Sequence, residues 1–317
     1  MYIQRALSLS LLLPLLALFQ SAPAQQLTIP IWSHGAPEPA SFAGPEKDIN
    51  GPSDPLIAGR KIIRLTNVSE PTLSVYKPAT SAGTAPGAAS PAVVVLPGGG
   101  YQILAYDLEG TEVCSWLNSI HVTCVLLKYR VPYSGHFPER TEDLEDAQQA
   151  MRLARQHAVE WGIDPSHIGV LGFSAGGHLA TVLSNHFDFV PDPAKSSVLK
   201  QHGGLDASIS ARPDFAFILY PGYLVHWPDK STIAPEAVPN ASTPPTFLLQ
   251  AEDDPVHEEN ALAYFQALKE ANVSAELHIY AKGGHGYGLR PTELPITLWP
   301  QLAETWLRSI HVLSPTR

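Results

Sequence analysis

The apolar run Ile168 to Leu171 passes directly into Gly172-Phe173-Ser174-Ala175-Gly176-Gly177-His178, and then into a proline-free stretch ending near Asn185. A short apolar run bounded by glycine suits a buried strand, and the alanine- and leucine-bearing stretch after it suits a helix over Ala175 to Asn185. Only a sharp turn can join the two, with Ser174 at its apex. A side chain at Gly172 or Gly176 would collide with the neighbouring strand or helix. A chain with this junction is confined to folds in which a strand feeds a helix through one tight bend.

The rest of the chain repeats that alternation. Apolar strands are predicted at 92–96, 122–129, 215–220, 247–250 and 276–280, and helices at 109–118, 142–161, 257–270 and 302–310. In the 142–161 helix, Leu144, Ala147, Met151, Ala154 and Ala158 recur at three- and four-residue steps. Acidic residues crowd its start, and Arg152 and Arg155 come later, as the helix dipole favours. Alternating apolar strands and helices predict an α/β fold, a mostly parallel central sheet with helices on both faces. Lys61 to Val68 and Thr72 to Tyr76 have no helix between them and suggest an antiparallel edge turning at Pro71. Residues 25–60 read as an extended N-terminal arm, 79–91 as a flexible tract, and 186–213 as a surface insertion. A single domain over 61–317 is expected, without internal repeats.

Residues 1–24 have the pattern of a cleavable export signal: Arg5, a leucine-rich run from Leu7 to Phe19 broken by Pro14, and the small-residue site Ala22-Pro23-Ala24. The run is shorter than the ~20 apolar residues that cross a bilayer, so a secreted or periplasmic protein without membrane insertion is expected. The net charge of −10 becomes −11 once Arg5 is removed, and no basic run interrupts it, so nucleic acid is a poor partner. Cys114 and Cys124 are the two cysteines; pairing and separate burial are both open. No His/Cys cluster has ligand spacing, so no metal is expected.

In a parallel sheet, functional groups gather at the carboxyl ends of the strands. Ser174 lies there, at a strand–turn–helix junction suited to a nucleophile. A serine hydroxyl needs a base, and of the thirteen histidines His285 stands out, because Gly283 to Gly288 follows the last strand directly. His178, one helical turn from Ser174, reads as structural. Asp253 and Asp254 follow the 247–250 strand and complete the order Ser…Asp…His; Asp254 is favoured as the acid, with Asp253 the alternative. Pro97-Gly98-Gly99-Gly100-Tyr101 follows the 92–96 strand. The amides of Gly99 and Gly100, with that of Ala175, are placed to donate to an oxyanion. Tyr101, Trp227 and Tyr287 are candidate substrate contacts, with Tyr223 and His226 as further aromatic groups near strand ends. These parts call for no metal or organic cofactor.

Together, LPGGGY, GFSAGGHLA, the DDPVH segment and KGGHGYG resemble α/β-hydrolases of the secreted carbohydrate-esterase type. The nearest branch is the acetyl xylan esterase-like enzymes, whose members are often mislabelled as xylanases. The likeness runs from about residue 25 to about Pro300. It implies a triad of Ser174, Asp254 and His285, oxyanion glycines in the PGGG segment, and deacetylation of xylan-type oligosaccharides. The chain departs from HGGG-bearing relatives in having Pro97 where they carry histidine. The residues alone point only to a serine esterase or related acyl hydrolase. An acetylated carbohydrate or another small ester as substrate is what the resemblance implies, with a short-chain carboxylesterase or a peptidase-like hydrolase as alternatives.

Overall fold

A computed structural model describes residues 25–38, 42–79, 89–133, 135–205, 207–226 and 228–314. The 1–24 segment, most of the 79–91 tract and Trp227 lie outside the described residues. In chain order the first elements are β1 (Gln25–Pro30), β2 (Lys47–Asp48), β3 (Arg64–Thr66), β4 (Thr72–Lys77), β5 (Ser90–Leu96), β6 (Leu104–Ala105), α1 (Glu112–Ser119) and β7 (Thr123–Lys128). There follow α2 (Glu142–Gln156), α3 (Ala158–Trp161), β8 (Ile163–Phe173), α4 (Ala175–Asn185), α5 (Pro193–Gln201) and β9 (Ala216–Leu219). The chain finishes with β10 (Thr246–Ala251), α6 (Glu259–Glu270), β11 (Ala275–Tyr280) and α7 (Trp299–Ser309).

Eight strands form one sheet in the order β1-β4-β7-β5-β8-β9-β10-β11. Strands β7 to β11 of that order pair in parallel, while β4 runs antiparallel to both β1 and β7. Side chains alternate between the two faces of each strand, so each face has its own core. Val94, Val170, Ile218 and Leu248 pack with Leu144, Ala147 and Met151 of α2, Leu179 and Leu183 of α4, and Tyr264 of α6. Val93, Val95, Leu171, Phe217 and Phe247 pack on the other side with Val113 and Leu117 of α1 and Trp299 and Trp306 of α7. Among the described residues no helix is long and apolar enough to cross a membrane. Cys114 of α1 and Cys124 of β7 are joined by a disulfide.

Three local expectations change. The arm's first residues form strand β1 on the edge of the main sheet, where Thr28 Oγ1 lies 2.9 Å from Ser74 Oγ. The segment before Pro71 does not pair with β4. Asn67 takes a left-handed backbone (φ 57°) that turns β3 away, into a small sheet with β2 and β6. The 186–213 stretch contains a helix, α5, whose first turn is capped by Asp192 accepting from the Ala194 and Lys195 N–H groups, with Pro193 at its first position.

One buried ion pair ties β7 to α2. The Arg130 guanidinium donates to Asp146 from Nε and Nη2 at 2.8–3.1 Å, Trp32 Nε1 donates to the same carboxylate at 2.8 Å, and Arg130 Nη1 reaches Glu38 at 2.6 Å. The two side chains are 4% and 0% exposed. Removing one partner of such a pair strands a buried charge. Asp146→Ala is expected to lower stability by about 3–5 kcal/mol, read as a shifted midpoint in urea unfolding. A loss under ~1 kcal/mol would mean that Glu38 alone suffices for Arg130.

Candidate active site

Ser174 sits at the carboxyl end of β8 and opens α4 with φ 51° and ψ −118°, a conformation rare for a residue with a Cβ. The close packing around it explains the flanking glycines. A Cβ on Gly172 would lie 2.0 Å from the Gly176 carbonyl oxygen, and one on Gly176 would lie 2.1 Å from that of Leu96. The Ser174 N–H donates to Leu219, and its carbonyl accepts from His178 and Gly222, so the bend is pinned to β9 and to its own helix.

His285 Nε2 lies 2.8 Å from Ser174 Oγ, and His285 Nδ1 lies 2.7 Å from Asp254 Oδ2. The Asp254 side chain is fully buried, and its Oδ1 accepts from the Val256 N–H at 2.7 Å. Asp253 has a different task. Its Oδ1 accepts from the Gly284 N–H at 2.7 Å and the Gly283 N–H at 2.8 Å, holding the loop that carries His285. The Gly284 amide, with that of Gly283 and the nearby Lys282 ammonium, keeps the Asp253 carboxyl below its ordinary range. Of the two adjacent acids, Asp254 alone meets the imidazole.

The glycine loop lies against this group. The Gly99 carbonyl accepts from Gln102 and Ile103, closing a turn at the end of the loop. Gly99 has φ 138°, and a Cβ there would strike the Ile103 carbonyl at 2.1 Å. Among the described residues, no hydrogen bond engages the N–H of Gly99, Gly100 or Ala175 outside regular elements. The Gly98 N–H is committed inward, to Glu109 Oε2 at 2.7 Å.

Glu109 and Tyr220 escaped sequence reading. Glu109 belongs to a wide π-helical turn, Asp107–Thr111, where a plain helix was predicted, and the turn places its carboxylate under the loop. Tyr220 Oη donates to Glu109 Oε1 at 2.9 Å and accepts from the Gly288 N–H at 3.2 Å, while its ring stands edge-on to His285 with centroids 5.1 Å apart. Burial raises the Glu109 carboxyl above its ordinary range, opposed by the bonds from Tyr220 and Gly98. Both ends of the histidine loop are thus held, by Asp253 at Gly283 and Gly284 and by Tyr220 at Gly288.

The aromatic candidates need correction. Tyr101 is 2% exposed and its hydroxyl is bonded to His178 Nδ1 at 2.6 Å, so its face is not available to a sugar ring. Tyr287 is buried too, packed edge-on against Tyr220 at 4.5 Å. Trp227 lies outside the described residues. Tyr223, 45% exposed, brings its hydroxyl to Gly100 and is the open aromatic beside the loop. One group of ligand-type side chains that sequence spacing does not show does assemble: His136, His178 and Glu236 meet next to Tyr101. They come from three separate stretches, so spacing could not reveal them. His178 is wholly buried, and burial holds its imidazole down at about 4.

Asp143, at the start of α2, is buried as well. Its Oδ1 accepts from the Leu144 N–H, its Oδ2 has no partner among the described residues, and burial pushes the carboxyl up to about 7. A folded-state value above the unfolded one means that the folded chain binds the proton more tightly. The contribution is therefore full below pH ~4 and lost as pH rises through ~7. Wild type should lose up to ~1.4 kcal/mol of stability per pH unit from this group inside that window. Asp143→Asn should flatten that slope in denaturant unfolding series; an unchanged slope would assign the pH dependence elsewhere.

A serine, histidine and buried carboxylate in a hydrogen-bonded row at the start of α4 are parts suited to acyl transfer through a serine ester. The chain belongs to the alpha/beta hydrolase fold family, whose model matches residues 93–289. It is similar to an acetylxylan esterase of Xylanibacter ruminicola, 33% identical over 205 residues, which cover 62% of this chain and 41% of that one. It is also similar to endo-1,4-beta-xylanase B of Butyrivibrio fibrisolvens, 28% identical over 212 residues, 61% of this chain and 32% of that one. The chain thus spans less than half the length of these two curated relatives. Among solved structures, the acetyl ester-xyloside bifunctional hydrolase of Caldicellulosiruptor lactoaceticus is 30% identical, with a TM-score of 0.61 over 87% of this chain and 98% of that one.

Proposed function

We propose that this chain is an exported serine esterase that removes acetyl groups from xylan-type oligosaccharides. The observation that carries the esterase reading is the hydrogen-bonded row Asp254–His285–Ser174; the amides of Gly99, Gly100 and Ala175 are assigned as the oxyanion donors. Asp254 accepts the Nδ1–H of His285 and so leaves Nε2 as the lone pair facing Ser174 Oγ–H. His285 Nε2 takes that proton as Oγ attacks the acyl carbon, and the three amides receive the charge on the acyl oxygen. The resulting imidazolium is stabilised by Asp254 and protonates the departing sugar hydroxyl. Water then attacks the acyl carbon as it gives a proton to His285, and the acyl–Oγ bond breaks with that proton returning to Ser174 Oγ, releasing acetate.

The acetyl-carbohydrate part is supported by the named activity of one relative that aligns over most of both chains, an acetyl ester-xyloside bifunctional hydrolase. Export is supported by the leader pattern of residues 1–24 and agrees with a disulfide between Cys114 and Cys124. A glycosidase reading finds no free carboxylate pair here, because Asp253 holds loop amides and Asp254 holds His285. A general short-chain carboxylesterase is the second reading, favoured by the burial of Tyr101 and Tyr287, which leaves fewer platforms for a sugar. Acetate release from acetylated xylo-oligosaccharides, run beside p-nitrophenyl acetate, separates the two. Turnover of both supports the carbohydrate reading, and turnover of the aryl ester alone removes it.

A further inference from the structure

His136 lies in the loop after β7, His178 in the first turn of α4, and Glu236 in a short 3-10 turn, Pro235–Ala237. One ligand-type atom from each lies within 4.8 Å of the others. The two imidazole rings stand 4.4 Å apart, centre to centre. His178 is fully buried, and its Nδ1 is engaged by Tyr101 Oη. Its Nε2 therefore faces the cluster, buried and without a hydrogen-bond partner among the described residues. Glu236 Oε1 is 3.7 Å from that nitrogen, beyond hydrogen-bond reach.

The hydrogen bonds around the cluster set its chemistry. His136 Nδ1 lies 2.9 Å from the Phe137 carbonyl, which only accepts, so Nδ1 carries the proton and Nε2 is a lone pair. With Nδ1–H of His178 on Tyr101, its Nε2 is a lone pair as well. In the other tautomer the Nε2–H would point at the Glu236 carboxylate 3.7 Å away, and an ion there would displace that proton. Two imidazole lone pairs and a carboxylate, with a tyrosine orienting one imidazole from behind, are the donor set and outer support of a borderline-soft dication. Ligand atoms of a tetrahedral zinc site lie about 3.3 Å apart, given bonds of about 2.0–2.1 Å. The His178–Glu236 pair is already close to that, and His136, on a loop and partly exposed, is free to close the remainder.

We propose that His136, His178 and Glu236 bind one divalent transition-metal ion of the zinc class, at a site separate from Ser174 and independent of the esterase reading. Because Tyr101 follows Gly100 directly and holds His178, an ion here braces the glycine loop, the loop after β7 and α4 against one another. It takes no part in acyl transfer.

The test uses untagged protein, treated with chelator, dialysed and titrated with zinc chloride by calorimetry and in thermal melts. One equivalent bound and a Tm raised by several degrees are expected. His136→Ala and Glu236→Gln, both at partly exposed positions, should each weaken zinc binding at least tenfold and remove the Tm rise. Ser174→Ala should bind zinc like wild type. Absence of binding to wild type, or binding as tight as wild type's in His136→Ala and Glu236→Gln, overturns the assignment, the latter because the ion would then sit on other histidines.

Discussion

Ser174→Ala is expected to lower kcat for p-nitrophenyl acetate by about 10⁶-fold while leaving the fold intact. Alanine keeps the Cβ that the bend already accommodates and removes only the Oγ facing His285. With no oxygen to form the acyl intermediate, what remains is the amides of Gly99, Gly100 and Ala175 acting on a water-driven reaction. Such residual assistance is worth about 10³–10⁴ over water in other hydrolases, so the variant should be slow rather than inert. Circular dichroism and a melt establish that it folds; retention of even a tenth of wild-type turnover would exclude Ser174 as the nucleophile.

The two neighbouring acids should separate by several orders of magnitude. Asp254→Asn presents an amide to His285 Nδ1 in place of a carboxylate, which permits the wrong tautomer and withdraws the charge facing the imidazolium. A fall of about 10⁴ in kcat is expected at neutral pH. Asp253→Asn keeps an oxygen able to accept from Gly283 and Gly284, so turnover should stay within about tenfold and the loss should appear in the stability of the histidine loop. Equal losses in the two variants would mean that loop geometry, not charge on the imidazole, governs the rate.

Much of this site was legible because it is written in backbone constraints. Ser174 and His285 lie beside glycines at strand ends; Gly172 and Gly176 are required by contacts near 2 Å that no side chain tolerates, and Gly284 and Gly286 by their positive φ. The sequence favours Asp254 over Asp253 but leaves the second open, since adjacent residues differ only in which way the turn after β10 points them; the structure puts Asp254 on His285. The aromatic contacts were misjudged for a related reason. Exposure of Tyr101 or Tyr223 is decided by partners from distant segments, His178 in one case and the edge of the glycine loop in the other. Glu109 was hidden inside a stretch with ordinary helical character, because nothing local marks a π-helical turn. The fold followed the alternation of apolar runs, but β1 and β3 went astray where pairing depends on which edge is free and on one left-handed asparagine.

Tyr223 belongs to the stretch between β9 and β10, which among the described residues carries no regular element beyond the Pro235–Ala237 turn. The parts proposed to perform chemistry stand on strand ends and the start of α4, whereas this segment crosses beside them with an exposed ring. Changes at its exposed positions should alter stability by no more than about 0.5 kcal/mol. The protein is therefore divided into a conservative half and an adaptable half. Selection for new acyl or alcohol groups, in nature or in a directed-evolution library, should accumulate substitutions around Tyr223 and His226 long before it touches the glycine loop.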